Sequence, residues 1–360
     1  MNERLRVAIL APVWFQVPPP GYGGIEWIVA LLADGLAELG HNVTLFASGD
    51  SHTKAQLSFV FEHAPSHLIG QSLVELEHSL ACYERAGEFD IVNDHSGLLA
   101  ATLSAGVSTP VLHTVHGPLD AEAGMVYEQI ARFAPELGLI SLSLNQRVPR
   151  PNLPWVATIP NALDLSLYPC KPHIGDYLLF IGRMSPDKGA HRAIAVAMET
   201  GLPLKLAGKK REAAERRYFD ELVAPHLGRD IEYLGEVTHG QKVELLQDAM
   251  VTLFPIEWEE PFGLVMIEAM ACGTPVIAFN RGSAPEIVED GLTGFVVEDV
   301  NGAIGAVDRL GHLSREKVRR RFEERFTARR MAQDYLSAYR SLMTTAAPHL
   351  RLVTEDVPAH

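Results

Sequence analysis

The sequence predicts an α/β protein made of two doubly wound domains, each built on a parallel β-sheet. Two observations support this fold class. Short apolar runs alternate with amphipathic stretches through both halves of the chain, a pattern typical of parallel βαβ units. The alternation also restarts near residue 176, and 360 residues are enough for two domains of about 100–200 residues each.

The first half of the chain contains several predicted strands and one clearly delimited helix. The helix covers residues 25–39, where apolar side chains recur at helical spacing, and it ends at Gly40, a favoured residue at helix C-termini. The predicted strands are the short apolar runs at residues 6–11, 42–47, 90–93, 110–114 and 136–143.

The second half repeats the pattern. Residues 163–175 contain two prolines and one cysteine without periodicity, and we expect them to form the linker between the domains. The predicted strands are residues 176–181, 204–207, 231–234, 251–254, 275–278 and 294–297, and the predicted helices are residues 190–200, 241–250 and 262–272. Residues 331–343 carry one apolar stripe and predict a final amphipathic helix.

The net charge argues against nucleic acid as a partner. The chain has 31 Lys and Arg against 45 Asp and Glu, a formal charge of −14, although a local pocket can still bind an anionic ligand. Residues 315–330 are basic, with eight basic and three acidic side chains. We interpret them as a solvated helix face, because acidic residues interrupt the run; a basic surface for a membrane or a nucleic acid is the alternative.

The cysteines and the apolar runs predict a cytoplasmic protein. Cys82, Cys170 and Cys272 are scattered and form no CxxC motif, which argues against a disulfide framework or zinc site and favours buried free thiols in a reducing compartment. The first apolar run is too short for a signal peptide. No window of about 18 uncharged apolar residues predicts a membrane span.

A glycine-rich loop, GYGGIE, connects the first predicted strand to the first helix. Paired glycines such as Gly23 and Gly24 let backbone N–H groups approach a phosphate or a sugar, at a helix N-terminus that favours anions. A tight turn that requires a positive φ is an equally good interpretation. The loop lacks the GxGxxG fingerprint, which disfavours a nicotinamide-dependent dehydrogenase.

A second loop, GRMSPDKG at residues 182–189, follows the first strand of the second domain. Its two cations suit a diphosphate, because Arg183 can bind two oxygens in a fork while Lys188 acts as a point charge. Two ordinary surface cations are the alternative.

A third segment, FPIEWEEPFGLVMIEAMACG at residues 254–273, is the most informative. A helix that starts near Phe262, with Pro261 at its first position, would offer the free N–H groups of Phe262, Gly263 and Leu264 to a polar ligand. Glu260 precedes this helix. Glu268 lies among apolar neighbours and therefore needs a partner, for which two sugar hydroxyls are suitable. A charge favouring the helix dipole and one snorkelling glutamate are the alternatives.

Several single residues follow predicted strands and are weaker candidates. His116 could act as a catalytic group or as a hydrogen-bonding partner for a sugar, and a structural histidine fits its position equally well. Asp94 and His95 leave the same choice open, whereas His113 is expected to be structural. Asn161 and Asp164, in PNALD, suit Asx turns. None of these spacings matches a set of metal ligands.

Four of these segments together resemble retaining glycosyltransferase family 4. EEPFGLVMIEAMACGTPVIA resembles the family's E-x7-E signature, with Glu260 and Glu268 as its glutamates. GRMSPDKG resembles the Arg/Lys diphosphate loop, and GYGGIEWIVALLADGLAELGHNVTLFA the N-terminal glycine loop and helix. IPNALD resembles a Pro-Asn-Gly-x-Asp turn, with Ala162 in place of the glycine.

The resemblance implies a GT-B fold, in which two Rossmann-like domains face each other across a cleft. Residues 1–165 plus 331–360 would form the acceptor-side domain, with the final helix crossing back to it, and residues 166–330 would bind the donor. The implied site comprises Arg183, Lys188, Gly23 and Gly24 for the diphosphate, Glu260, Phe262, Gly263, Leu264 and His116 for the donor sugar, Glu268 for the ribose, and Lys209, Gly235 and Val237 near the base, with Asn161 and Asp94 as further cleft candidates.

The implied reaction is transfer of a hexose from a nucleotide sugar to an acceptor hydroxyl with retention of configuration, and His116 and Glu260 are the expected catalytic residues. Arg183, Lys188 and helix N-termini would stabilise the leaving diphosphate without a metal or other cofactor, and the phosphate would take the acceptor's proton. A covalent Glu260 intermediate, a nucleotide-sugar epimerase or hydrolase, and a non-catalytic nucleotide-sugar-binding subunit are the alternatives. UDP-glucose and GDP-mannose both suit the donor site, and a saccharide or a small metabolite suits the acceptor site.

Overall fold

The computed structural model describes residues 4–21, 23–134, 136–173 and 175–352, with residues 345–352 described by their backbone alone. The chain divides into two compact units. The first comprises Met1–Ala162 and Ala328–His360, and the second comprises Leu163–Thr327. The sequence predicted divisions after residues 165 and 330.

The described part of the first unit is built on a seven-stranded parallel sheet with helices between the strands. The strands are β1 (Arg6–Leu10), β2 (Asn42–Phe46), β3 (Gln56–Ser58), β4 (Ile91–Asp94), β5 (Val111–Thr114), β6 (Leu137–Ser141) and β7 (Trp155–Thr158). The sheet order is β3-β2-β1-β4-β5-β6-β7. The helices of this unit are α1 (Gly24–Glu38), α2 (Ser72–Tyr83), α3 (Leu98–Leu103), α4 (Ala121–Phe133) and, at the end of the chain, α12 (Ala328–Leu352).

The second unit repeats this plan with six parallel strands among the residues described. They are β8 (Leu178–Ile181), β9 (Leu204–Ala207), β10 (Ile231–Tyr233), β11 (Val251–Phe254), β12 (Val276–Phe279) and β13 (Gly294–Val297), in the order β10-β9-β8-β11-β12-β13. The helices are α5 (Ala190–Thr200), α6 (Ala213–Leu222), α7 (His239–Asp248), α8 (Leu264–Ala271), α9 (Ala284–Ile287), α10 (Val300–Val307) and α11 (Arg315–Arg325).

Both sheets reverse their strand order beside their first strand. β1 pairs with β2 on one side and β4 on the other, and β8 likewise lies between β9 and β11. In doubly wound sheets, ligands bind in the crevice that this reversal opens beyond the carboxyl ends of the strands. The predicted fold class is confirmed, and the loops after β1, β4, β8 and β11 are the places where a site is expected.

The central strands are apolar throughout because helices cover both faces of each sheet. All four residues of β11 and all four of β12 are buried. Helix α8 is likewise buried along most of its length, from Met266 to Ala271. The hydrophobic core of the second unit therefore reaches directly to the carboxyl end of β11, where the E-x7-E segment begins.

The C-terminal helix α12 belongs to the first unit. Its apolar stripe is buried at Met331, Tyr335, Leu336 and Tyr339. The helix approaches α1 closely, since a Cβ atom on Gly35 would lie 3.2 Å from the Cβ of Ala332. Among the described residues, no helix combines the length and the apolar character needed to cross a membrane.

The prediction that residues 315–330 form a solvated face is wrong for Arg315 and Arg319. Arg315 is only 7% exposed and donates hydrogen bonds to the carbonyls of Gln247 and Ala249, at the end of α7, and of Cys272, at the end of α8. Arg319 donates to the carbonyl of Ala271. Helix C-termini leave such carbonyls without intrahelical donors, and a guanidinium satisfies several of them at once.

The segment predicted as a linker is part of the second unit. Leu163 pairs with Thr327 in a parallel bridge, and Tyr168 is 4% exposed. Ile174, within the predicted linker, lies outside the described residues. Cys82 and Cys272 are buried free thiols as expected, but Cys170 is exposed, because it lies in this surface segment.

Candidate active site

Two of the predicted motifs meet at the carboxyl end of the second sheet. The ammonium of Lys188, in the loop after β8, forms an ion pair with the carboxylate of Glu260, in the loop after β11. The side chains are 18% and 14% exposed. The Lys188 ammonium also lies 4.5 Å from the centroid of the Trp258 ring, a cation–π contact that fixes its position further.

Arg183 shares this loop but has looser partners. Its guanidinium lies 3.7 Å from the carboxylate of Asp187 and 3.7 Å from that of Glu215, and its side chain is 40% exposed. Glu215 is 4% exposed and caps α6 by accepting from the backbone N–H groups of Arg211 and Glu212. Glu215 was not predicted as a site residue, because the sequence around a capping glutamate does not show that the same side chain also lies near Arg183.

The start of α8 differs from the prediction. The helix begins at Leu264, and Gly263 before it has a left-handed φ of 80°. A Cβ atom on Gly263 would lie 2.9 Å from the ring of Phe254, so the core requires glycine at this turn. Pro261 is therefore not the first helical residue. The N–H groups of Phe262, Gly263 and Leu264 nevertheless have no acceptor among the described residues.

The backbone of Glu260 is fixed by the loop after β12. The N–H of Ser283 donates to the Glu260 carbonyl at 2.9 Å, and a Cβ atom on Gly282 would lie 2.4 Å from the Glu260 nitrogen. The hydroxyl of Ser283 donates to the carbonyl of Phe262 at 2.6 Å. These contacts hold the segment between β11 and α8 as one rigid turn.

Glu268 is paired within the protein. Its Oε1 accepts from the hydroxyl of Tyr168 at 3.0 Å and contacts the ammonium of Lys242, on α7. Burial and then the charge of Glu268 raise the pKa of the Tyr168 hydroxyl, so it remains a donor. Tyr168 and Lys242 therefore supply the partner that this buried carboxylate was expected to need.

The predicted base region lies beside the Arg183 loop. The carbonyl of Lys209 accepts from the N–H of Met184 at 3.0 Å, and the N–H of Gly208 donates to the carbonyl of Gly235 at 2.8 Å. These bonds join the loops after β8, β9 and β10. Val237 lines an open cavity of about 360 Å³ together with Tyr177, Lys205 and residues of α7.

In the first unit, the glycine loop leads directly into α1. Gly24 is the first residue of α1, and a Cβ atom on Gly23 would lie 2.7 Å from the Pro19 side chain and 2.9 Å from a carboxylate oxygen of Glu26. Tyr22 lies outside the described residues. Glu26 is 5% exposed, and burial raises its pKa to about 7. No sequence pattern distinguishes this glutamate from its neighbours.

Asp94 and His113 form a buried network at the ends of β4 and β5. His113 contacts Asp94 through Nδ1 at 2.9 Å and the Tyr127 hydroxyl through Nε2 at 2.8 Å. The other oxygen of Asp94 accepts from the N–H of Ser96. Both side chains are fully buried, which is typical of a structural network.

His116 lies apart from that network. Its Nε2 is 2.9 Å from Nδ1 of His95, which is fully buried, while the ring of His116 is partly exposed. Burial lowers the pKa of His95 well below its usual value and that of His116 to about 3. Both rings are therefore neutral at physiological pH.

The two turn residues of PNALD have different kinds of partner, one distant in the chain and one local. The Asn161 carbonyl accepts from the guanidinium of Arg330, on α12, and Asn161 is 6% exposed. Asp164 Oδ1 accepts from the N–H of Ser166 at 2.9 Å, which is the Asx turn that the sequence predicted.

The architecture and the motif positions define a GT-B glycosyltransferase. A glycosyltransferase involved in avilamycin A biosynthesis, AviGT4, has a crystal structure that superposes with a TM-score of 0.72 at 29% identity, covering 95% of this chain and 98% of that one. The family model described as Glycosyltransferase Family 4 matches residues 22–167, and that described as Glycosyl transferases group 1 matches residues 171–328. The chain therefore belongs to glycosyltransferase family 4.

Two relatives match most of the chain at lower identity. The glycogen synthase of Mycobacterium tuberculosis (strain ATCC 25618 / H37Rv) is 26% identical, over 97% of this chain and 99% of the relative. The phosphatidyl-myo-inositol mannosyltransferase of Mycolicibacterium smegmatis is 27% identical, over 90% of this chain and 89% of the relative. This chain is therefore similar over nearly its whole length to transferases that differ in product.

Proposed function

We propose that the chain transfers a hexose from a nucleoside-diphosphate sugar to a hydroxyl of an acceptor, with retention of configuration. The observation that carries this proposal is the ion pair between Lys188 and Glu260. The ion pair brings together a cation that can bind a phosphate and a carboxylate that can accept from a sugar hydroxyl. Both lie at the carboxyl ends of the strands, where doubly wound sheets bind ligands.

The second unit is proposed as the donor domain. Arg183 takes two oxygens of the diphosphate and Lys188 a third, since a fork and a point charge complement each other on phosphates. When Lys188 turns to the phosphate, the Glu260 carboxylate becomes free to accept from a sugar hydroxyl. We assign the ribose to Glu268, whose Oε1 is held by Tyr168 and Lys242, and the base to the region of Lys209, Gly235 and Val237.

The proposed reaction proceeds on one face of the sugar. The bond between the anomeric carbon and the diphosphate oxygen breaks, the acceptor oxygen bonds to the same carbon, and its proton passes to the leaving phosphate. Arg183 and Lys188 stabilise the charge that develops on the diphosphate, so we propose that no metal ion is required. Their attraction for an anion in a partly buried site is the physical basis of this assignment.

The first unit is proposed as the acceptor domain. We assign His116 to the donor sugar and the backbone of Gly23 and Gly24 to the phosphates, as the family resemblance suggests. The unpaired cysteines suit a reducing, cytoplasmic environment. A glycogen synthase and a mannosyltransferase among the relatives support a hexose donor, either UDP-glucose or GDP-mannose, and a saccharide or small-metabolite acceptor.

A thermal-shift series tests the donor site. UDP, GDP, ADP and their common sugars are added in EDTA, and one nucleotide family is expected to raise the melting temperature, because a ligand at 100 times its Kd stabilises by about 2.7 kcal/mol. Arg183→Ala and Lys188→Ala should lose the shift, whereas Arg229→Ala, at an exposed position of the same unit, should keep it. No shift at millimolar ligand would contradict the donor site, and a shift only with Mg²⁺ would contradict metal independence.

Product analysis separates the transferase from its alternatives. The donor found by thermal shift is incubated with an acceptor library, and NMR of the product should show the anomeric configuration of the donor. Release of free sugar without any acceptor dependence would identify a hydrolase, and an altered sugar nucleotide an epimerase. Binding of the donor without turnover on any acceptor would support a regulatory subunit instead.

A further inference from the structure

We propose that Asn93 and His95 are positioning residues that place the single ring proton of His116 on Nδ1, so that this imidazole presents an N–H donor to the sugar. The role of this N–H group in binding the sugar rests on the proposed function, in which His116 contacts the sugar of the nucleotide-sugar substrate. The arrangement of the proton does not, because it follows from the contacts of the first unit alone.

The three side chains form one hydrogen-bonded chain at the carboxyl ends of β4 and β5. The carboxamide nitrogen of Asn93 contacts Nε2 of His95, and Nδ1 of His95 lies 2.9 Å from Nε2 of His116. Asn93 and His95 are both fully buried. Among the described residues, Nδ1 of His116 has no hydrogen-bond partner, so it is the nitrogen that remains for a ligand.

The neighbouring rings restrict any rotation of His95. Its ring centroid lies 5.2 Å from that of His116 and 5.8 Å from that of Tyr335. Tyr335 is itself fixed, because its hydroxyl is 3.0 Å from the hydroxyl of Thr114, on β5, and its side chain is fully buried. His95 is therefore held in one orientation between His116 and the C-terminal helix.

Because both imidazoles are neutral, each hydrogen bond between these side chains has one defined donor and one defined acceptor. A neutral ring has one N–H and one lone pair, so each hydrogen bond fixes the other nitrogen. The Asn93 amide donates to Nε2 of His95, which leaves the proton of His95 on Nδ1. That proton is donated to Nε2 of His116, and the proton of His116 is left on Nδ1. A reversed carboxamide would invert both rings, so the tautomer of His116 reports the orientation of Asn93 directly.

The chemical consequence is that His116 acts as a hydrogen-bond donor and not as a general base. An N–H at Nδ1 can bind an oxygen of the sugar, whereas it cannot take a proton from the acceptor hydroxyl. This agrees with the proposed reaction, where the leaving phosphate receives that proton. A lone pair at Nδ1 would instead place a second base near the sugar.

The direct test is the histidine ¹⁵N NMR spectrum of the full-length protein, with His116 assigned from the spectrum of His116→Gln. The expected result is a protonated, pyrrole-like Nδ1 and a pyridine-like Nε2 at neutral pH. In Asn93→Asp the ionised carboxylate can only accept from His95, so the two nitrogens of His116 should exchange types. A wild-type spectrum with the proton on Nε2 would overturn the proposal without any reference to activity.

Kinetics provide the second readout. His95→Asn keeps an N–H donor near the place of Nδ1, so it should retain kcat within about threefold, while His95→Ala should lower kcat about 10- to 100-fold through misplacement of His116. His41→Asn is the matched control, since His41 is also buried in the first unit but accepts from the N–H of Leu5. Equal losses in His95→Asn and His95→Ala would contradict positioning through this hydrogen bond. A correct tautomer in a protein without transferase activity would refute the proposed function and leave the network intact.

Discussion

Replacing Glu260 by glutamine should tighten the binding of a free nucleoside diphosphate and at the same time lower turnover. The carboxylate holds the Lys188 ammonium in an ion pair that is mostly buried. A diphosphate must take Lys188 from this partner and then lie near its negative charge. Glu260→Gln removes that competition and that repulsion, but it also weakens the carboxylate contact proposed for the donor sugar.

The structure sets the size and the sign of the effect. The two side chains are only 18% and 14% exposed, so the free energy of their ion pair should exceed the median for surface ion pairs. We take this free energy as about 1 kcal/mol. That corresponds to a roughly fivefold gain in diphosphate affinity in Glu260→Gln. Lys188→Met removes a charge-assisted bond of about 1.5–3 kcal/mol and should weaken the same ligand about 10- to 150-fold.

Isothermal titration with UDP or GDP, whichever stabilises the protein, measures both variants against wild type. Arg229→Ala serves as the control for a change of one charge unit elsewhere in the second unit. The affinity should rise in Glu260→Gln and fall in Lys188→Met, while kcat should fall in both. Weaker diphosphate binding in Glu260→Gln would refute the idea that the two anions compete for Lys188.

Two further predictions concern the stability of each unit. Arg315→Leu leaves buried carbonyls at the ends of α7 and α8 without donors, so urea unfolding should show a loss of about 3 kcal/mol or more, against almost none for the exposed Arg320→Ala; a loss below about 1 kcal/mol would contradict this role. Burial raises the pKa of Glu26 from 4.5 to about 7, so the folded state binds the extra proton and stability should fall as pH rises between these values. Glu26→Gln should remove this part of the pH dependence. If the free energy of urea unfolding depends on pH in the same way in Glu26→Gln and in the wild type, the role of Glu26 is contradicted.

The regular elements were predictable because the chain marks them with apolar runs and glycines. Helix α5 and strands β9, β11 and β13 have the predicted bounds, and in α5 both flanking residues, Gly189 and Gly201, adopt the left-handed conformation. A fully covered parallel strand must be apolar on both faces, so its length is visible in the sequence. The motif glycines and charges then fall at strand ends as a consequence of the topology.

Contacts between distant segments were not predictable. A basic run shows how many arginines a helix carries, but which one turns inward depends on where the carbonyls at the ends of α7 and α8 lie. The same holds for Tyr168, which sits in an aperiodic segment and reaches Glu268, a residue 100 positions away in the chain. The turn at Gly263 was missed because glycine is required there by the nearby ring of Phe254 and not by the local sequence.

These partners change how ligand recognition in the second unit should be understood. From the sequence alone, Lys188, Arg183 and Glu268 were expected to interact with a ligand. In the structure, each of them lies beside an oppositely charged side chain of the protein. Binding of a donor would therefore exchange one partner for another, and only the difference between the two interactions would contribute to affinity. A weak anion could not displace Glu260 from Lys188, but a diphosphate whose attached sugar also engages the released carboxylate could. Selectivity for the intact nucleotide sugar would then arise from the pairing itself.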